Sequence, residues 1–392
     1  MTAFRIAMIG QRGVPATFGG IEHHVEELGA RLAARGHDVV VYTRTNYVDR
    51  HEERVRGIRP RYLPTVGSKH LDAIVHSTLS TLDVLVRGAD IVHYHAVGPG
   101  IPAALPRALS RGKVVLTVHG LDAERTKWGG GARAVLTFAQ WLSARVPDDT
   151  IVVSRALQAF YRERYGRATT YIPNGVDEPV TRPPEGIVER FGLQGDDYVL
   201  FVGRFVPEKA PDLLVRAFRR VQTDRRLVLV GGSSFTDAYE RSLRALVSSD
   251  DRVLMPGYVY GDLLEELYSN ASAFVLPSSL EGLPLTLLEA ISHGTPVVVS
   301  DIPANVEIVG GDGPGHRVVP EGDETALSTA LRRVLSVGDA ERAGAEALRR
   351  SVLDSFRWDD AVEMTEEVYE RVARGRPRAH RDPERARPGS DR

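Results

Sequence analysis

The feature that most constrains this chain is a rhythm that runs twice: short apolar stretches bounded by turn residues, each followed by residues with helical spacing. In the first half the strand-like runs are residues 3–9, 38–43, 90–94, 113–118 and 150–153, and a helix is expected over 21–35 with Leu28 and Leu32 facing inward. Near-continuous apolar strands that alternate with helices predict a parallel sheet covered on both faces. The rhythm stops at residues 174–186, N-G-V-D-E-P-V-T-R-P-P-E-G, where clustered prolines and glycines predict a linker. It restarts with strands expected at 198–203, 227–231, 273–276 and 296–300 and a helix over 210–221. The result is two doubly wound, Rossmann-like α/β domains. Ligands of such sheets bind outside the carboxyl ends of the strands, so two facing domains make a cleft suited to two substrates.

The expected organisation is a first domain over residues 1–176, a linker over 177–186, a second domain over 187–356, a C-terminal helix over 357–374 and a tail over 375–392. The tail is mostly Arg, Pro, Ala and Asp and lacks the apolar surface to offset its ordering entropy, so disorder is expected there. At 392 residues the chain is ample for two domains. No apolar run approaches the roughly 18 residues of a membrane span. The first residues enter a strand pattern at once, which predicts no signal peptide and a cytoplasmic location. Absence of cysteine excludes disulfides, zinc–thiolate sites and a thiol nucleophile.

Charge is unevenly spread: residues 1–180 hold 23 Lys and Arg against 17 Asp and Glu, whereas 181–370 hold 19 against 32. The basic half and the acidic half suit different partners, or the imbalance is an accident of solvated surfaces. No nucleic-acid partner is indicated.

The strongest chemical signal is residues 278–290, S-S-L-E-G-L-P-L-T-L-L-E-A, which follow the buried run 273–276 and open a helix. Pro284 suits the first helical position, leaving the amides around Leu283, Leu285 and Thr286 for a phosphate. Glu281 lies just before this helix and Glu289 about one and a half turns inside it. Two carboxylates at different depths suit two sets of hydroxyls. The other reading is a strand–loop–helix unit with surface glutamates. At the end of the run 198–203 comes G-R-F-V-P-E-K, with Arg204 and Lys209 at the ligand end of a strand. Arg forks onto phosphate oxygens and Lys supplies a compact charge, so the pair suits a departing diphosphate. Lys209 is the only lysine after Lys127 in a chain that otherwise uses arginine. In the first half, Gly10–Gly13 and Gly19-Gly20 allow close backbone approach to a phosphate. His119, after the strand 113–118, is placed to bond substrate or share a proton, with Asp122 as a partner on the same loop. His93 and His95 project to one side of a strand and invite a metal reading. With no cysteine and no third ligand in view, no metal site is expected. The chain also has no Asp-x-Asp pair to clamp a metal-bound diphosphate.

Residues 281–289 resemble the Glu-x7-Glu motif of the retaining GT-B glycosyltransferases of family 4. The Gly-Arg…Glu-Lys spacing at 203–209 matches that family's pattern, and residues 6–44 look like the opening of members that build bacterial exopolysaccharide and rhamnose-containing chains. The resemblance covers about residues 4–373. It implies a GT-B fold, retention of configuration, a nucleotide diphosphate-sugar as donor and no further cofactor. It implies that Arg204, Lys209, Gly20, Leu285 and Thr286 meet the diphosphate and that Glu289 meets the ribose. Glu281, Gly282, Leu283 and His119 fall beside the donor sugar, with Glu281 and His119 as the catalytic pair. Residues 253–259 resemble the base-binding turn, with Tyr258 and Val259 at the base. The helix at 357–374 resembles one that crosses back to the first domain. The acceptor expected is a saccharide or a lipid-linked saccharide of cell-surface polysaccharide assembly, with weak, salt-sensitive contact at the inner face of the membrane. The rival readings are a GT-B sugar-nucleotide epimerase, a transferase acting on a soluble natural product, and a non-catalytic regulator that binds a nucleotide sugar.

Overall fold

The computed structural model describes residues 2–375 except 18, 49–51, 68–71, 122–129, 234–236 and 337–338. Strands β1 (Arg5–Ile9), β2 (Asp38–Arg44), β3 (Arg59–Leu63), β4 (Ile91–His95), β5 (Lys113–Val118), β6 (Asp149–Val152) and β7 (Thr170–Tyr171) form one sheet in the order β3-β2-β1-β4-β5-β6-β7. Strands β8 (Tyr198–Val202), β9 (Arg226–Val230), β10 (Val253–Gly257), β11 (Ala273–Leu276), β12 (Val297–Ser300) and β13 (His316–Val319) form a second, in the order β10-β9-β8-β11-β12-β13. Every pairing in both sheets is parallel.

The first sheet is wound with helices α1 (Gly20–Ala34), α2 (Asp72–Arg87), α3 (Ala104–Leu109), α4 (Gly130–Ser143) and α5 (Arg155–Tyr165). The second carries α6 (Gly186–Phe191), α7 (Pro211–Arg219), α8 (Asp237–Val247), α9 (Asp262–Ser269), α10 (Leu285–Ser292), α11 (Pro303–Val309), α12 (Glu324–Leu335) and α13 (Asp339–Ser355). Right-handed crossovers send the chain from β1 to β2 toward one edge and from β3 through β6 toward the other, which places α1 on one face and α2, α3 and α4 on the opposite one. The two doubly wound domains expected from the sequence are present.

The expected strands fall within a residue or two of their observed limits. Four strands were not expected: β10 falls in the run read as a turn, and β3, β7 and β13 carry little apolar signal. β3 is Arg-Pro-Arg-Tyr-Leu at a half-exposed sheet edge, β7 has two residues, and β13 buries Arg317 by pairing it with Glu341.

The linker is an irregular passage that ends where α6 begins at Gly186. The last helix, α14 (Trp358–Ala373), returns to the first domain. Trp358 backs onto Gly175 so closely that a Cβ there would lie 2.5 Å from its backbone. Glu366 accepts from Arg35 at 2.5 Å and lies 2.9 Å from His37 Nε2, and the Tyr369 hydroxyl is 2.7 Å from His93 Nδ1. A helix whose sequence belongs to the end of the chain therefore completes the core of its beginning. Of the tail, only Gly375 lies within the described residues.

Candidate active site

The carboxyl ends of the two sheets face each other, and the loops leaving β8 and β11 carry the charged groups. After β8 the chain passes Arg204 and makes a single tight turn at Pro207–Lys209. After β11 it passes Ser278 and Glu281 into α10. These loops meet: Lys209 Nζ lies 2.5 Å from Glu281 Oε1, with both side chains largely shielded from solvent. Residues 72 positions apart are thus one ion pair. Ser279 N donates to Glu208 O at 2.9 Å and ties the loops together below the pair.

Pro284 is not the first helical residue, as its position had suggested. Its ψ of 111° is extended, so it caps the helix from outside and α10 starts at Leu285. The Leu287 and Leu288 amides bond back to Pro284 O, and the amides of Leu285 and Thr286 precede those bonds at the positive end of the helix. Glu289 Oε2 accepts from the Tyr268 hydroxyl at 2.9 Å, and His23 Nε2 of the first domain is 3.8 Å from Oε1. Burial pushes the Glu289 carboxyl up, against the pull of His23 and the Tyr268 hydroxyl. Tyr258 and Val259 leave β10 together; Tyr258 packs on Gly232 and stacks at 6.0 Å on Tyr260, while Val259 is buried.

The first domain supplies the facing wall. Gly20 opens α1, and Leu285 Cδ1 is 3.7 Å from where its Cβ would be. Gly19 holds a φ of 105°, and Glu22 Oε2 occupies the place of a Cβ, so the turn into α1 requires glycine there. Gly282 is tighter still: the His119 carbonyl oxygen lies 1.8 Å from the position of a Cβ. The donor-side loop and the His119 loop are therefore in backbone contact across the cleft.

His119 sits among other histidines. Its Nε2 is 3.3 Å from His95 Nδ1, and the His24 ring meets it edge-on at 4.6 Å. The nitrogens of His24, His95 and His119 lie within 4.8 Å of one another. The expectation that no third ring stands near His95 is therefore corrected: α1 and the loop after β5 each deliver one, which spacing along β4 could not reveal. His93 does face the same side, 4.2 Å from His95, but Thr117 and Tyr369 take its two nitrogens.

All four rings are held neutral. Burial lowers His24 to about 4 and His93 to about 3, and it takes His95 and His119 well below the ordinary range, with each ring opposing charge on the next. His24 Nδ1 is 2.9 Å from Asn174 Oδ1, and Asn174 Nδ2 donates to Leu283 O at 2.9 Å. One linker amide thus joins α1 to the loop that carries Glu281. Asp122, the expected partner of His119, lies outside the described residues. His23, His24 and Asn174 were not singled out from the sequence, although His23 and His24 directly follow the G-G-I-E run and Asn174 opens the linker.

Comparison with known proteins finds two family matches along the chain. Residues 196–337 match the family described as glycosyl transferases group 1, and residues 18–178 match glycosyltransferase family 4. Glycogen synthase of Mycobacterium tuberculosis is 30% identical over 407 residues, covering 95% of this chain and 95% of that one. Among solved structures, sucrose-phosphate synthase from Thermosynechococcus elongatus superposes with a TM-score of 0.82 at 25% identity, covering 94% of this chain and 99% of its own. Anabaena Alr3699/HepE in complex with UDP-glucose superposes with a TM-score of 0.78 at 17% identity, covering 94% and 100%.

Proposed function

Because this chain belongs to the group 1 and family 4 glycosyltransferases and is built on the GT-B plan, we propose that it moves a sugar, with retention of configuration, from a nucleotide diphosphate-sugar to a saccharide acceptor. The observation that carries the reading is the contact of Lys209 with Glu281. It sets a cation for the departing diphosphate directly beside a carboxylate for the sugar being transferred. Cleavage of the bond between the sugar and the diphosphate leaves extra negative charge on the diphosphate, and preorganised donors stabilise such charge. Lys209, Arg204 and the Leu285 and Thr286 amides receive that charge without a divalent ion. Glu289, deeper along α10, holds the ribose, and the backbone at Tyr258 and Val259 holds the base. Glu281, Gly282 and Leu283 line the sugar from one side and His119 from the other. Kept neutral by burial and by the neighbouring rings, His119 offers a hydrogen bond without adding positive charge beside a sugar that itself becomes cationic.

The superposition with a UDP-glucose complex supports a nucleotide-sugar donor. For the acceptor we propose a saccharide carried on a lipid diphosphate at the cytoplasmic membrane face, in cell-surface polysaccharide assembly. Glycogen synthase and sucrose-phosphate synthase as relatives favour a second reading, a soluble saccharide acceptor. Release of nucleoside diphosphate from UDP- and GDP-sugars, measured with and without each acceptor class, tests the function. Acceptor-dependent release, with a product anomeric proton matching the donor configuration, is expected. Interconversion of the donor with no acceptor dependence would instead make the protein an epimerase.

A further inference from the structure

The layer of the first domain that faces away from α14 is built inside out. Helix α2 turns His76, Ser77, Ser80, Thr81 and Val84 inward and leaves Leu79, Leu82 and Val86 outside, the last two 48% and 88% exposed. Its buried hydroxyls are satisfied within the helix: Ser77, Ser80 and Thr81 donate to carbonyls four residues back at 2.7–2.8 Å. Helix α4 does the same. Ala139, Gln140 and Ser143 are buried, while Val135, Phe138 and Trp141, each three residues from the next, stand 45–53% exposed. The rings of Phe138 and Trp141 stack on each other at 5.9 Å instead of on the core. Helix α3 buries Pro106 and exposes Leu105 and Leu109. The turn at Ile101–Ala103 touches all three helices, and α2 touches α3, so they lie together on this face of the sheet. On the opposite face, among the described residues, α1 and α14 expose no large apolar side chain.

A soluble helix ordinarily turns its apolar stripe inward, and contiguous exposed apolar surface marks an interaction site. The charges around this surface identify its partner. Arg111, Arg133 and Arg145 are exposed beside the stripes, with Arg87 and Arg107 at the margin paired to Asp83 and Asp148. Neither α3 nor α4 contains an acidic residue. Exposed apolar side chains including a tryptophan, with cations around them and acids absent from two of the three helices, match the boundary between acyl chains and anionic headgroups.

We propose that the outer face of α2, α3 and α4 docks on an anionic lipid surface, with Phe138 and Trp141 entering the acyl boundary. No described helix is long and apolar enough to span a membrane, so the attachment is peripheral. The proposal deepens the lipid-carried acceptor reading, since it sets the acceptor half of the cleft beside the membrane, yet it fails separately from it. Full-length protein should pellet with phosphatidylcholine vesicles containing phosphatidylglycerol at low salt and should be released as salt rises. Lipids brominated on their acyl chains should quench tryptophan emission, and W141F should remove that quenching. Phe138→Ser with Trp141→Ser should weaken vesicle binding by about tenfold or more, from the apolar area lost. The thermal shift on adding nucleoside diphosphate should stay unchanged in that variant, showing that it folds. No pelleting, pelleting indifferent to these substitutions, or a dimer in solution that the same substitutions dissolve would each overturn the proposal. Pelleting without transfer to a lipid-carried saccharide would refute the acceptor reading and leave the docking surface standing.

Discussion

Across the cleft, the second domain presents acidic and basic side chains and the first presents neutral rings. Lys209 and Glu281 form an ion pair between two loops, and Glu289 lies inside α10, where burial pushes its carboxyl up. His24, His93, His95 and His119 are packed ring on ring, where burial removes charge. The sheets beneath are of the same doubly wound kind, so the difference lies in the loops, which agrees with a charged donor on one side and a sugar hydroxyl on the other.

The largest effect is expected from Lys209→Met. It removes the cation that we propose meets the leaving diphosphate and should lower kcat by about 10²–10³-fold, as loss of one preorganised donor does elsewhere. Steady-state kinetics check this, and a rise in KM with unchanged kcat would remove Lys209 from the transition state.

Gly282→Ala is the next in size. Its Cβ would meet the His119 carbonyl oxygen, so the two walls must separate or the loop must shift. Misplacement by about 1 Å can cost on the order of 10²-fold in turnover. Turnover should fall while nucleoside diphosphate still binds. Unchanged turnover would mean that the contact between the loops has no part in catalysis.

Acid should then separate the two walls. A histidine lowered from 6.5 to about 4 in the fold, as His24 is, takes up its proton more readily when unfolded. Its contribution, on the order of 3 kcal/mol, is complete above the ordinary value and is lost as pH falls toward the folded one. His93 acts in the same direction down to about 3. Glu289, shifted upward, acts oppositely and is relieved by acid. Hydrogen exchange between pH 6.5 and about 4 should therefore loosen β4, β5 and α1 before α10. Earlier loosening of α10 would reverse the comparison. The smallest effect expected is none at all: excess chelator should leave turnover unchanged, and activity lost to chelation and restored by magnesium or manganese would contradict donor binding by side chains and helix terminus alone.

The charged wall was legible in the sequence because its residues sit in short runs at strand ends, where Arg204, Lys209, Glu281 and Glu289 each stand out from apolar neighbours. The neutral wall was not. His24, His95 and His119 come from a helix, a strand and a loop that only the parallel sheet brings together, and Asn174 reaches them from what reads as a plain linker. The inverted helices were hidden for another reason. Helical spacing marks an apolar stripe but not which way it turns, and in α2 and α4 the stripe turns outward. Strand β13 escaped because its buried Arg317 reads as a surface residue until Glu341 is placed beside it.

The central claim is that the second domain's two glutamates divide the ribose from the sugar, Glu289 meeting the one and Glu281 the other. Calorimetric titration of nucleoside diphosphate into Glu289→Ala and Glu281→Ala tests it most directly. Loss of a hydrogen-bonded carboxylate at the ribose should weaken binding by about tenfold or more in Glu289→Ala. Glu281→Ala should bind nucleoside diphosphate nearly as the parent does while its turnover falls. Equal losses of nucleoside diphosphate affinity in the two variants would contradict the account.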